Sequence, residues 1–193
     1  MCSFSCCPSG RIRKIVAVCL CLGTFGCRST AQEAPAAVNA TITVEESEMV
    51  GTVLHVVDGD TFDVRLSSGS ERVRLIGVDT PETKKPNTPV QCFGPEASAR
   101  LSSLLSDGTP VKLLRDAELR DTYGRLLAYT FRAEDNLFIN LTLVEEGFAV
   151  PLEIAPNTTF ATDVAAAASA ARRANRGLWS ACPERPAAKS SGK

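Results

Sequence analysis

The chain predicts a mainly β (α+β) fold, a five-stranded barrel of the OB type with three helices. Three observations point there. Short β-branched or alternating segments recur between residues 50 and 131, separated by Asp-Gly, Ser-Ser-Gly and Asp-Thr-Tyr-Gly turns. Apolar residues at helical spacing interrupt them after the third strand and resume after the fifth. The length of 193 residues, 44% of them hydrophobic and 22% charged, suits one globular core with a tail rather than two cores.

The elements follow in order. Val50–Val57 is apolar and β-branched and runs into the turn Asp58-Gly59. Thr61–Leu66 alternates Phe62, Val64 and Leu66 against Asp63 and Arg65, a second strand. The turn 67–70 (SSGS) leads into a third strand, Glu71–Val78, completing a meander. Residues 80–94 hold three prolines and two lysines and read as a long loop. Pro95 suits a first helical turn, and Ala97, Leu101, Leu104 and Leu105 follow at helical spacing up to Asp107-Gly108. Val111–Leu114 and Leu126–Phe131 are strands four and five, joined by the polar turn Arg120–Arg125. Asn140 is expected to cap a short helix, Leu141–Glu146, that Gly147 ends. The alanine-rich stretch Phe160–Asn175 gives a third helix, stopped by Gly177.

Composition excludes several classes. A single histidine, His55, argues against a multi-histidine zinc site and against mechanisms that need two imidazoles. His55 itself reads as a surface or barrel-filling residue. With 21 basic and 22 acidic side chains, no global positive field marks the chain as a nucleic-acid binder.

The amino-terminal segment reads as an export signal. Arg11, Arg13 and Lys14 precede the apolar run 15–25, too short for a permanent membrane span, and Gly26-Cys27 follows. Two cuts are consistent with it: one before Cys27, which would then carry lipid and anchor the chain to a membrane, and one after Ala31, which would release it. The organisation expected is therefore a signal peptide over 1–27, a flexible linker over 28–48, a domain over 49–182 and a disordered tail over 183–193. Five further cysteines lie inside the signal, leaving Cys92 and Cys182 in the domain. Two cysteines in an exported domain suggest one disulfide, with free buried thiols as the alternative. The domain carries 14 basic and 17 acidic residues, so nucleic-acid affinity would have to come from local groups.

Three clusters hold acids and arginines: Asp58-Gly59-Asp60-Thr61, Arg74 with Asp79-Thr80-Pro81-Glu82, and Asp121-Thr122-Tyr123-Gly124-Arg125. Each alone is consistent with a turn or a loop cap. Together they describe one chemistry. Asp60 and Asp79 supply hard oxygen ligands for a cation such as Ca²⁺. Glu82 lies close enough in sequence to orient or deprotonate water. Arg74 and Arg125 offer planar forks for phosphate oxygens and for the charge of five-coordinate phosphorus. Strict alternation, however, puts Arg74 and Asp79 on opposite faces of one strand. A bulge at Gly77, or an earlier strand end, would be needed for them to converge.

The order VVDGDTFDV (56–64), RVRLIGVDTPET (72–83), FGPEAS (93–98), DTYGRLLAY (121–129), EEGFA (145–149) and RGLW (176–179) resembles the staphylococcal nuclease (thermonuclease) family over essentially all of residues 50–180. The resemblance implies Ca²⁺-dependent hydrolysis of DNA and RNA, with cleavage of the bond to the 5′ oxygen and 3′-phosphate products. It implies Asp60 and Asp79 as metal carboxylates, a carbonyl from Thr80, Glu82 as general base, Arg74 on the scissile phosphate and Arg125 on the transition state or leaving group. Tyr123 matches a tyrosine near the nucleotide's terminal phosphate, Asp58 a residue that supports the turn, and Lys84 and Lys85 sit in the phosphate-contacting loop. Cys92 and Cys182 resemble a pair found in exported relatives. The chain is expected to act as a monomer. It departs from the family's type member where two substrate tyrosines are replaced by the non-aromatic segment 150–155 (VPLEIA), and where Thr122 replaces a lysine. Base stacking should be weaker as a result. The rival reading is a non-catalytic OB module that binds nucleic acid or protein at the envelope; a structural envelope lipoprotein is a third.

Overall fold

The computed structural model describes residues 48–84, 89–182 and 189–190. All belong to one compact unit, Ile42–Lys193. The signal segment with Cys27, the linker up to residue 47, Lys85 and most of the tail lie outside the described residues.

The described residues form eight strands and four helices. They are β1 (Glu48–Asp58), β2 (Thr61–Leu66), β3 (Gly69–Leu75), β4 (Val78–Asp79), α1 (Gly94–Leu104), β5 (Pro110–Leu114), β6 (Leu126–Arg132), α2 (Ile139–Glu145), β7 (Val150–Glu153), α3 (Ala161–Arg173), α4 (Leu178–Ala181) and β8 (Lys189–Ser190). Strands β1, β2, β3, β6 and β5 close into a barrel in that order, the predicted five-stranded architecture. Within the barrel all pairings are antiparallel except β3 with β6, which run parallel with Arg74 opposite Leu127. A second, small sheet joins β4, β7 and β8. No described helix is long and apolar enough to cross a membrane.

Alternation along the strands fills the barrel. Val53, Phe62, Val64, Val73, Leu75, Val111, Leu113, Leu126 and Ala128 are buried in one cluster, closed by Leu101 and Leu105 near α1 and by Ile139 and Leu143 of α2. This apolar burial, at about 25 cal/mol per Å², is the main stabilising term. A satellite cluster of Val150, Ala171, Leu178, Trp179 and Cys182 packs with Phe93 beneath the carboxyl-terminal helices.

Four expectations are corrected. The third strand starts at Gly69, so only Ser67-Ser68 turn, and it ends at Leu75 instead of Val78. Ile76-Gly77 form a turn in which Gly77 adopts φ +79°, a left-handed conformation that costs a residue with a Cβ and costs glycine nothing. The chain then leaves the barrel and pairs as β4 with β7. Asn140 does not cap α2, because Phe138 occupies the cap position with no side-chain bond. Fully buried instead, Asn140 accepts from the Thr130 amide (2.9 Å) and donates to the Ile76 carbonyl (2.8 Å). It thereby ties the barrel wall to the turn that redirects β3. Lastly, there are four described helices rather than three, because residues 178–181 wind into α4 after Gly177.

Candidate active site

The turn at Ile76-Gly77 decides the site. Once β3 ends at Leu75, Arg74 and Asp79 no longer obey one alternation and point to the same place. The Arg74 guanidinium is nearly buried, with both terminal nitrogens engaged. Its Nη1 donates to the carbonyls of Leu75 and Val78, both at 2.8 Å. Its Nη2 lies 3.1 Å from Asp60 Oδ2 and 3.4 Å from Asp79 Oδ1. One guanidinium nitrogen thus gathers carboxylates that are 19 residues apart in the chain.

Asp60 is positioned just as tightly. Its Oδ1 accepts from the Thr61 hydroxyl at 2.9 Å. Its Oδ2 accepts from the amide and the hydroxyl of Thr80, at 3.2 and 3.1 Å. The approach of Thr80 needs a glycine beside Asp60: a Cβ on Gly59 would stand 2.6 Å from Thr80 Oγ1. Asp58 takes the supporting place, accepting from the Gly59 amide (2.8 Å) and the Thr83 hydroxyl (2.7 Å). Burial pushes its carboxyl above the usual range. The bonds from Thr83 and Gly59 oppose that rise, and the neighbouring Asp60 and Glu82 charges add to it.

Glu82 lies on the segment that follows. It is half-buried, with Oε1 accepting from the Lys84 amide at 2.8 Å. Its own amide donates to Gln91 Oε1 at 3.0 Å. Lys84 is exposed. The Cys92 and Cys182 sulfurs are bonded in a disulfide across 90 positions.

Arg125 stands on a different element, the turn before β6. Its Nε donates to Asp121 Oδ2 at 2.6 Å, and its guanidinium lies 5.4 Å from the centre of the Tyr123 ring. Tyr123 is 84% exposed, which leaves its ring free to meet a ligand. Arg74, Arg125 and Tyr123 line one cleft of about 360 Å³, with Leu152 and Ile154 on an apolar wall. Asp60, Asp79 and Glu82 do not line it, so Arg74 is the link between the acidic cluster and the cleft. On the other side of the Tyr123–Arg125 turn, a shallow groove of about 400 Å³ runs past Asp63, Glu71 and Arg72.

The apolar wall is braced by residues the sequence did not single out. Asn157 is buried and makes a two-point contact with Glu118, accepting from its amide (2.7 Å) and donating to its carbonyl (2.9 Å). Asp116 accepts from the Tyr129 hydroxyl (2.9 Å) and the Thr159 amide (3.1 Å). Burial alone would raise the Asp116 pKa, but these donors and the Ala117 amide outweigh it and the net shift is downward. Burial, reinforced by Asp116, raises that of Tyr129. Only the polar, turn-rich character of 115–122 hinted at such a joint. His55 is a surface residue, 3.4 Å from Asp63.

No group of three or more His, Cys, Asp or Glu side chains is gathered as a cation cage among the described residues. What converges is two carboxylates beside Thr80. Such an all-oxygen donor set suits a hard cation whose remaining ligands are backbone carbonyls and water.

A small barrel with two arginines lining one cleft, one of them also bound to a pair of carboxylates, has the makings of an enzyme acting on phosphate esters. Residues 72–181 match the model of the staphylococcal nuclease homologue family. The chain is 40% identical over 127 residues to the thermonuclease of Staphylococcus intermedius, covering 66% of this chain and 74% of that one. It is 37% identical over 134 residues to the thermonuclease of Staphylococcus hyicus, covering 69% and 78%. It is also 37% identical over 130 residues to endonuclease YncB of Bacillus subtilis, covering 67% and 61%. The chain belongs to the staphylococcal nuclease family, and the enzyme class that goes with that membership is nuclease, a hydrolase.

Proposed function

We propose that the protein is an exported, Ca²⁺-dependent, sugar-nonspecific nuclease that hydrolyses phosphodiester bonds of DNA and RNA to 3′-phosphate products. The observation that carries this reading is the shared cleft: Arg74 and Arg125, 51 positions apart in the chain, face the same space, and Arg74 alone also touches both carboxylates. A phosphodiester lying there meets two guanidinium groups, Arg74 exchanging a carboxylate contact of Nη2 for a phosphoryl oxygen and Arg125 exchanging its Asp121 contact.

Asp60 and Asp79, with the Thr80 carbonyl, would hold Ca²⁺. Bound there, the ion would supply positive charge to the site and make water more acidic. The chain's own residues do the rest. Glu82 accepts the proton of the attacking water, whose oxygen forms the new bond to phosphorus. Arg74 holds the non-bridging oxygens as charge builds on five-coordinate phosphorus. Arg125, drawn from Asp121, stabilises the departing 5′ oxygen as its bond to phosphorus breaks. Tyr123 and Lys84 would contact the flanking phosphates, and Lys85 is assigned with them from the sequence alone. The net charge of the domain makes binding depend on these local groups, and therefore strongly on salt.

The protein works as a monomer outside the cytoplasm, either anchored through lipid on Cys27 or released after Ala31. Blocking lipoprotein processing with globomycin separates the two: accumulation of the precursor means an anchor, unchanged release means free secretion. The catalytic test is nicking of plasmid DNA with Ca²⁺, with Mg²⁺ and with chelator. Cleavage with Ca²⁺ alone and 3′-phosphate ends are expected. DNA that is shifted in a gel yet left intact under all three conditions would replace the enzyme with a binding module.

A further inference from the structure

We infer that Gln91, held in place by the Cys92–Cys182 disulfide, is a positioning residue for Glu82. The inference rests on the reading of Glu82 as the group that takes the water's proton.

Glu82 and Gln91 grip each other twice. The Gln91 amide donates to the Glu82 carbonyl at 2.9 Å, and the Glu82 amide donates to the Gln91 side-chain oxygen at 3.0 Å. The two bonds fix the peptide groups on both sides of the Glu82 Cα and hence the direction in which its side chain leaves the backbone. Gln91 is itself exposed, and an exposed side-chain hydrogen bond is ordinarily weak, because water competes and ordering the side chain costs entropy. Here the next two residues remove much of that freedom. Cys92 is bonded to Cys182, which is buried beside Trp179 in the satellite core. Phe93 packs on the same cluster and stacks on Phe148, ring centres 5.3 Å apart. The Gln91 backbone is thus anchored to the carboxyl-terminal helices and lends that rigidity to a catalytic segment that has no strand or helix of its own.

Asp60, Arg74 and Thr80 lock one another by side-chain bonds, and Gln91 gives the Glu82 backbone a comparable hold. A proton acceptor displaced by about 1 Å loses up to about 100-fold in rate while substrate binding elsewhere is unaffected.

The test uses the full chain in four forms: wild type, Gln91→Leu, Gln91→Glu, and the double variant Cys92→Ser with Cys182→Ser. Hydrogen exchange of the Glu82 amide is followed by NMR, and kcat and KM are measured on plasmid DNA with Ca²⁺. Gln91→Leu should speed exchange at Glu82 and lower kcat about tenfold with KM within about twofold. Gln91→Glu keeps the acceptor oxygen and should restore both. The serine pair should behave as Gln91→Leu does while the barrel amides keep their protection. Wild-type exchange at Glu82 together with wild-type kcat in Gln91→Leu would overturn the inference, as would failure of Gln91→Glu to restore them. A separate control, Glu82→Gln, tests the underlying reading. If it cleaves at the wild-type rate, Glu82 is not the proton acceptor, and the exchange data still decide whether Gln91 positions it.

Discussion

The two sides of the cleft are built in opposite ways. On one side Arg74 is nearly buried and gives its donors to two carbonyls and two carboxylates, while Asp60 draws donors from Thr61, Thr80 and Arg74. On the other, Arg125 and Tyr123 sit on a turn open to solvent, and Arg125 is held through Asp121. The first side is organised before any substrate arrives. The second would exchange its carboxylate partner for a phosphate at modest cost, because the Arg125–Asp121 pair is only partly buried and one such i,i+4 pair contributes about 1 kcal/mol or less. Fixed charge placement and adaptable capture are thus divided between two elements and joined in one cleft.

Arg74→Ala is the sharpest way to break this comparison. It removes the proposed phosphate ligand and takes away the guanidinium that Asp60 and Asp79 share. Turnover should fall by at least about 1,000-fold, and urea unfolding should show a loss of about 3 kcal/mol. Arg125→Ala should also lower kcat, by about 100-fold, yet change stability by no more than about 0.5 kcal/mol. A melt in which Arg125→Ala is as damaged as Arg74→Ala would mean that the two sides are not built differently.

The apolar wall provides two smaller tests. Asp116→Ala deprives the buried Tyr129 hydroxyl of its acceptor and should cost about 1–3 kcal/mol, with kcat on DNA nearly unchanged. The pH dependence has a defined sign. The folded-state pKa of Asp116 lies below its ordinary 3.8, so its stabilisation is present above that value and is lost as pH falls through the lower folded pKa. Acid melts of wild type and Asp116→Asn should therefore converge below about pH 4. Ile154→Tyr is the mildest change. Ile154 is 44% exposed on the cleft wall, and an aromatic ring there should stack on a base. One stacking contact is worth about 1–3 kcal/mol, so KM for short oligonucleotides should drop about tenfold with kcat unchanged.

Much of the fold was legible because local rules and tertiary rules agree. Strand β2 has the bounds its alternation predicts, and the ends of α1 follow Pro95 and Asp107-Gly108 to within a few residues. The failures share a cause. Asn140 has the chemistry of a helix cap, but the Thr130 amide in the barrel wall and the Ile76 carbonyl in the turn after β3 lie within its reach and take the same side chain. Periodicity carried β3 through to Val78, because a valine after a glycine still looks like a strand. It is a strand, in another sheet.

By itself the sequence determined which chemistry the chain carries. Carboxylates, arginines and a tyrosine at these spacings, the barrel's apolar alternation and the lone pair of domain cysteines are all properties of residue type and order. Tertiary structure alone decided convergence. Arg74 meets Asp79 because Gly77 turns the chain out of one sheet, Asp60 joins them because Gly59 leaves room for Thr80, and Arg125 faces Arg74 because β3 and β6 run side by side. Each depends on a backbone direction set by non-local packing and hydrogen bonding, which no window of sequence contains.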